Sequence, residues 1–75
     1  MSYVESPQTK RLRLIDFYLY FFGKVNRADL IKHGDIATAT ASRSFNTYKV
    51  RFPQNMLFNE SIRAYIKPQS FNPAF

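Results

Sequence analysis

The sequence has no cysteine and no tryptophan, only two glycines, five acidic residues and one histidine, His33. Without cysteine, neither a disulfide nor a thiolate metal site can staple the fold. A single histidine with no second ligand makes a metal site unexpected, and His33 is better read as a last-turn residue favoured by a helix dipole. Gly23 and Gly34 are too few for a phosphate-cradling loop and both read as helix ends. The carboxylates are scattered, with no pair at a spacing suited to acid–base chemistry, and no serine has a basic or histidine partner. No enzyme activity and no cofactor are therefore expected. No apolar run is long enough to span a bilayer. The N-terminal MSYVESPQTKR lacks the apolar core of a signal peptide, so the cytoplasm is the expected compartment. The lack of tryptophan excludes nothing by itself.

What is present is aromatic and basic. Seventy-five residues make one small domain whose core is marginal unless supplemented. Eight Phe and five Tyr offer dense aromatic packing, oligomerisation or both. A hydrophobic fraction of 45% is too high for a solvated, disordered tail. Eleven Lys and Arg against five Asp and Glu give a net charge of +6 and a pI near 10.0. Such an excess fits a polyanionic partner, or serves only solubility; where the charges lie decides between them.

Ser6-Pro7 opens a helix, with Ser6 as N-cap and Pro7 at the first helical position, and Gly23 closes it. Residues 1–5 are expected to be a loose end. Within the helix, Leu12, Ile15, Leu19 and Phe22 form one buried stripe, and Leu14, Phe17, Tyr18 and Phe21 a second beside it. A surface helix needs only one apolar face. The second stripe is therefore a dimer contact or is covered by the C-terminal tail, and the small size of the domain favours the dimer.

A second helix runs from Arg27 to His33. Asn26 caps it, Asp29 suits its dipole, Val25 and Leu30 occupy the positions of a hydrophobic staple, and Gly34 ends it. Leu30 and Ile31 are its buried residues, and Ile36 plugs the following turn. A third helix spans Thr38 to Lys49 or Val50, with Ala41, Phe45 and Tyr48 inward. Its opposite face carries Ala39, Arg43, Asn46, Thr47 and Val50, flanked by Thr40 and Ser42. No carboxylate occurs between Asp35 and Glu60. An ordinary solvent-facing helix would mix Glu with Lys and use stronger helix formers. After Pro53, residues 55–58 and 62–67 read as a β-hairpin around Asn59-Glu60-Ser61. Ile62, Ala64 and Ile66 then alternate with Arg63, Tyr65 and Lys67. Residues 68–75 form an irregular tail whose Phe71 and Phe75 need burial. The fold class is mainly α with a small β-hairpin: a winged helix-turn-helix of three helices plus a wing over residues 6–67.

The chain resembles the N-terminal winged helix-turn-helix domains of WYL-domain transcriptional regulators, particularly bacterial repressors encoded beside phage-defence systems such as BREX and CBASS. Three stretches carry the resemblance: Arg11 to Phe17 with Gly23 to Leu30; Gly34-Asp35-Ile36 with Ala41-Ser42 and the Phe45/Tyr48 pair; and Leu57 to Tyr65 closed by Phe71-Asn72-Pro73-Ala74-Phe75. It implies a homodimer that binds a palindromic operator and represses defence genes, and a WYL domain beyond the tail, absent from these 75 residues. The chain departs from the pattern at Ala37-Thr38, where a Ser and often a Pro open the third helix, and at Ser44, which replaces an acidic residue.

Double-stranded DNA is thus the expected partner, with a second copy of the chain, and neither membrane nor metal. Base readers would be Arg43, Asn46, Thr47, Ala39 and Thr40, since Arg reads guanine, Asn reads adenine, and Ala or Thr methyls meet the thymine methyl. Backbone contacts would be Arg27, Thr38, Ser42, Ser44, Lys49, Arg51, Arg63 and Lys67. The plainer alternatives are a solvated arginine at 43, capping hydroxyls and ordinary surface charges. Two rival functions are a protein-interaction module recruiting a partner through the aromatic first helix, and a single-strand or RNA binder stacking bases on exposed rings.

Overall fold

A computed structural model describes residues 6–34 and 36–74. The expectations for Met1–Glu5, Asp35 and Phe75 lie outside the described residues. Three helices, α1 (Pro7–Phe22), α2 (Arg27–Gly34) and α3 (Thr38–Arg51), pack against an antiparallel sheet of β1 (Lys24–Val25), β2 (Leu57–Asn59) and β3 (Ala64–Ile66). A short 3-10 helix, η1 (Pro53–Asn55), joins α3 to the sheet. The strand order is β1-β3-β2, with Val25 opposite Tyr65 and Phe58 opposite Tyr65 from the other side. This is the winged helix-turn-helix expected, with one strand more than the hairpin.

Local chemistry accounts for the helix boundaries. Ser6 Oγ accepts from the Thr9 amide at 3.1 Å, and Pro7 follows at the first position, where its missing N–H costs nothing. Gly23 closes α1 at φ 76°, its amide donating to the Leu19 carbonyl at 3.1 Å. Asn26 and Asp29 form a reciprocal capping box: Asn26 Oδ1 accepts from the Asp29 amide at 2.9 Å, and Asp29 Oδ2 from the Asn26 amide at 3.0 Å. Val25 and Leu30, the staple pair, are both fully buried. The expected weak point is also present: Ala37 precedes α3 with no side-chain cap.

The core joins Leu12, Ile15, Tyr18 and Leu19 of α1 to Leu30 of α2, Ala41, Phe45 and Tyr48 of α3, and Val25 and Met56. Three assignments on α1 change. Phe22 has the inward angle but sits at the last residue, past the elements that could cover it, and is 61% exposed. Tyr18, assigned to the outer stripe, is buried in this chain's own core, and Leu14 packs against that core. Phe17 and Phe21 remain exposed.

The wing is shifted toward the C-terminus from the expected register. Asn59 Oδ1 accepts from the amides of Ser61 and Ile62, which turns the chain at residues 60–63. Arg63 then adopts a left-handed φ of 51°. Ile62 and Arg63 therefore belong to the turn, and Ile62 is half exposed. Asn55, expected in the first strand, ends η1 and is fully buried. β1 was not expected, because two residues carry no periodicity.

Buried polar groups tie α1, α3 and the tail together. Tyr48 donates to Asp16 Oδ1 at 2.6 Å and accepts from Asn55 Nδ2 at 3.2 Å. Asn55 clasps the backbone of Asn72, donating to its carbonyl at 2.7 Å and accepting from its amide at 2.9 Å. The Ala74 amide donates to Asp16 Oδ1 at 3.1 Å. Phe71 finds the burial expected of it, packed against the core.

Gly23 and Arg63 give opposite predictions in urea unfolding. A Cβ at Gly23 would meet nothing within 4 Å, so Gly23→Ala costs only backbone strain, about 1 kcal/mol. Arg63→Gly relieves the same kind of strain and does not lower the unfolding midpoint. Burial, then the hydrogen bond to Asp16, push the Tyr48 phenol well above its ordinary range, against the opposing bond from Asn55. An unfolded tyrosine ionises near about pH 10, so this contribution to stability is complete below that pH and is lost as pH rises from there through the folded value. Unfolding midpoints measured from pH 8 upward should fall less steeply for Tyr48→Phe; the part due to Tyr18, also raised by burial and by Asp29, should remain.

Candidate nucleic-acid interface

α3 has weak helix formers on its outside because its stability comes from its inside. Phe45 stacks on Tyr65 of β3 at 4.9 Å between ring centroids, and Tyr48 meets Phe52 at 5.1 Å. These contacts set which side of the helix faces inward and so determine what faces outward.

The outward residues are Ala39, Arg43, Asn46 and Val50, all exposed, with no carboxylate among them. Val50 is 71% exposed. Thr40 and Thr47 lie on the α1 side of this face and are half-buried. Thr47 Oγ1 donates to the Arg43 carbonyl at 3.0 Å and accepts from Gln8 Nε2 at 3.5 Å. Its hydroxyl is thereby engaged, and its methyl group is what it has left to offer. Gln8, 39 residues away in sequence, borders the face; no local pattern could have pointed to it.

The other flank carries the charges. Arg27, at the start of α2, donates through Nη1 to Ser42 Oγ at 3.4 Å. A groove of about 640 Å³ opens between α2, α3 and the wing, lined by Arg27, Ser42, Phe45, Phe58, Glu60 and Arg63 together with Asn26 and Tyr65. Two guanidinium-bearing residues and the capped start of α2 thus share one concavity with a single carboxylate, Glu60. Thr38, Lys49 and Arg51 are exposed on α3, with the Arg51 guanidinium 5.8 Å from the Phe52 ring. Ala37, at the start of α3, offers the helix's first amides no side-chain acceptor of its own.

One expected backbone contact is corrected, and a second is placed away from the wing turn. Ser44 is 2% exposed; its hydroxyl donates to the Thr40 carbonyl at 2.8 Å and accepts from Arg11 Nε at 3.0 Å. It lies on the face of α3 turned to α1, where it cannot meet an external phosphate. Lys67 lies one strand away from the wing turn: its amide donates to the Gly23 carbonyl, and its ammonium sits 5.9 Å from the Tyr20 and Phe71 rings. Strand alternation put it on the same side as Arg63, but Arg63 is in the turn, which ends that alternation.

Among the described residues there is no group of three His, Cys, Asp or Glu able to hold a metal ion, and no helix long and apolar enough to cross a membrane. His33 packs edge-on to Tyr18 at 5.5 Å.

The family described as the BrxR transcriptional regulator winged helix-turn-helix domain matches residues 7–75. A DNA-binding transcriptional repressor CapW from Stenotrophomonas maltophilia is 32% identical over 72 residues, covering 96% of this chain and 24% of that protein. A CapW repressor from Escherichia coli strain KTE188 is 31% identical over 68 residues, covering 91% of this chain and 23% of its own. The chain therefore spans about a quarter of the length of these curated relatives. With its helices, wing and caps in the expected order, the chain belongs to the family of BrxR-type winged helix-turn-helix domains of transcriptional regulators.

Proposed function

We propose that this domain binds double-stranded DNA sequence-specifically as part of a bacterial transcription repressor, with α3 in the major groove. The observation that carries it is the exposed, carboxylate-free face of α3, where Arg43 and Asn46 stand among small or apolar residues. Arg43 would read guanine O6 and N7, Asn46 adenine, and Ala39, Thr40, Thr47 or Val50 the thymine methyl. Arg27, Ser42 and Arg63 would meet phosphates from the groove side, and Thr38, Lys49 and Arg51 from α3 itself. The CapW relatives, repressors by name, support the same reading. The family resemblance adds a palindromic operator bound by a homodimer and phage-defence genes as the target.

The dimer contact would use the exposed aromatic end of α1. Phe17, Tyr20, Phe21 and Phe22 are 45–65% exposed and lie edge-on or tilted against one another at 4.6–6.0 Å in several pairs. At about 200 Å² for a whole aromatic side chain, they offer roughly 400–500 Å² per chain. Two such faces bury under about 1,000 Å², less than a stable interface needs. Through this face alone, two copies pair weakly in solution and are held together when adjacent half-sites bind both. The same patch is what favours the second reading, a protein-interaction module.

Selection of bound duplexes from a random pool should return a palindrome with half-sites about one helical turn apart, or a multiple of that. A pool with no enrichment would refute the DNA-reading role. In mobility-shift titrations, Arg43→Ala should abolish discrimination between selected and scrambled duplexes while leaving the unfolding midpoint unchanged. Arg27→Ala and Arg63→Ala should instead weaken both duplexes alike, each reducing the log–log salt slope by about one unit. In sedimentation, the free protein at micromolar concentration should run as a monomer, and with the palindromic duplex as two chains per duplex.

A further inference from the structure

The polar cluster at Asp16, Tyr48 and Asn55 is joined to the tail by more bonds than burial of Phe71 requires. Asp16 and Asn55 are 4% and 0% exposed. Such groups are costly to bury unless each polar atom finds a partner. The partners come from three places: the Tyr48 hydroxyl on α3, the Asn72 amide and carbonyl, and the Ala74 amide. Ser70 adds a bond from its hydroxyl to the Gln54 carbonyl at 2.6 Å. Without the tail, Asn55 would lose its backbone clasp and Asp16 one of its donors.

Apolar contacts tolerate a small roll of a helix more readily than hydrogen bonds, which are directional. The Tyr48 hydroxyl projects from the face of α3 opposite Ala39, Arg43 and Asn46, so its anchor sets the roll of the outward face. A side-chain tip about 6 Å from the helix axis moves about 1 Å for a roll of about 10°. That exceeds the tolerance of about 0.5 Å within which a specific contact stays productive.

We propose that Asp16 and Asn55 are positioning residues for DNA reading, and that residues 70–74 are part of the reading unit, setting the orientation of α3 through Tyr48. This rests on the DNA-binding function proposed above. Any displacement of the tail, whether by a bound molecule or by a neighbouring domain, then becomes a change in operator discrimination with no contact to DNA. The cluster is a connection between the chain's C-terminal segment and its base-reading face.

Two variants test it in the full 75-residue chain. Ala74→Pro removes the amide that donates to Asp16 and touches neither helix. Tyr48→Phe removes the shared hydroxyl and keeps the ring, so the core stays filled. Each is titrated with selected and scrambled duplexes well below its unfolding midpoint, and the hydrogen exchange of α3 amides is followed without DNA. The expected result is a loss of about tenfold in discrimination in both variants, unchanged affinity for the scrambled duplex, an unchanged salt slope, and faster exchange in α3. Unchanged discrimination in Ala74→Pro overturns the proposal, as does an equal loss on both duplexes. Should the parent chain itself show no discrimination, the DNA-reading function fails, and exchange alone decides the coupling. Faster exchange of α3 in Ala74→Pro would then uphold the link between tail and helix, and changes confined to residues 70–74 would overturn it.

Discussion

The structure depends on how α3 is held against α1, and the Tyr48 ring with its hydroxyl is the centre of that contact. The ring is fully buried among apolar neighbours, while the oxygen is placed between a carboxylate and an amide. The two parts do different work. Apolar burial supplies the stabilisation, about 1.5–3 kcal/mol for a large side chain, without preferring one rotation of the helix to its neighbours. The hydroxyl chooses among rotations. On the same face, Phe45 stacked on Tyr65 links the helix to the central strand, so α3 is fixed from the sheet as well as from α1.

With α3 fixed, charge falls into place around it. Four of the eleven Lys and Arg stand at the borders of the helix's outer face: Arg27 and Arg63 on the groove side, Lys49 and Arg51 toward the helix end. A cation border around a carboxylate-free strip that carries Arg43 and Asn46 among smaller residues suits a polyanion with an information-bearing groove, since phosphates flank the base edges. Not every cation is free to serve. The lysine at 67 covers aromatic rings at the far end of α1, and the arginine at 11 supports the serine at 44. Net charge alone overstates the binding surface.

The aromatic surplus divides in the same way. Tyr18, Phe45, Tyr48 and Tyr65 build the interior or its edge, and Phe71 lies half-buried where the tail crosses α1. Phe17, Tyr20, Phe21 and Phe22 stay outside. A domain this small has too little mass to cover both faces of a 16-residue helix whose outer stripe is aromatic. The tail covers one border of that stripe and leaves the rest.

The sequence by itself determined most of what depends on near neighbours. The caps at Ser6 and Asn26, the closing Gly23, the Val25–Leu30 staple and the Ala41, Phe45, Tyr48 stripe are each set within a few residues, where helix geometry leaves little choice. Because that stripe fixes which side of α3 is inside, the exposure of Arg43, Asn46 and Ala39 was legible too. The turn at residues 60–63 was misplaced because an Asn side chain, which periodicity ignores, set it. Only the tertiary structure decided the remainder. Asp16 and Tyr48 are 32 residues apart, Asp16 and Ala74 58, and Gln8 and Thr47 39. Burial of a carboxylate, an amide or a hydroxyl follows from which distant partner satisfies it, and no local pattern carries that pairing.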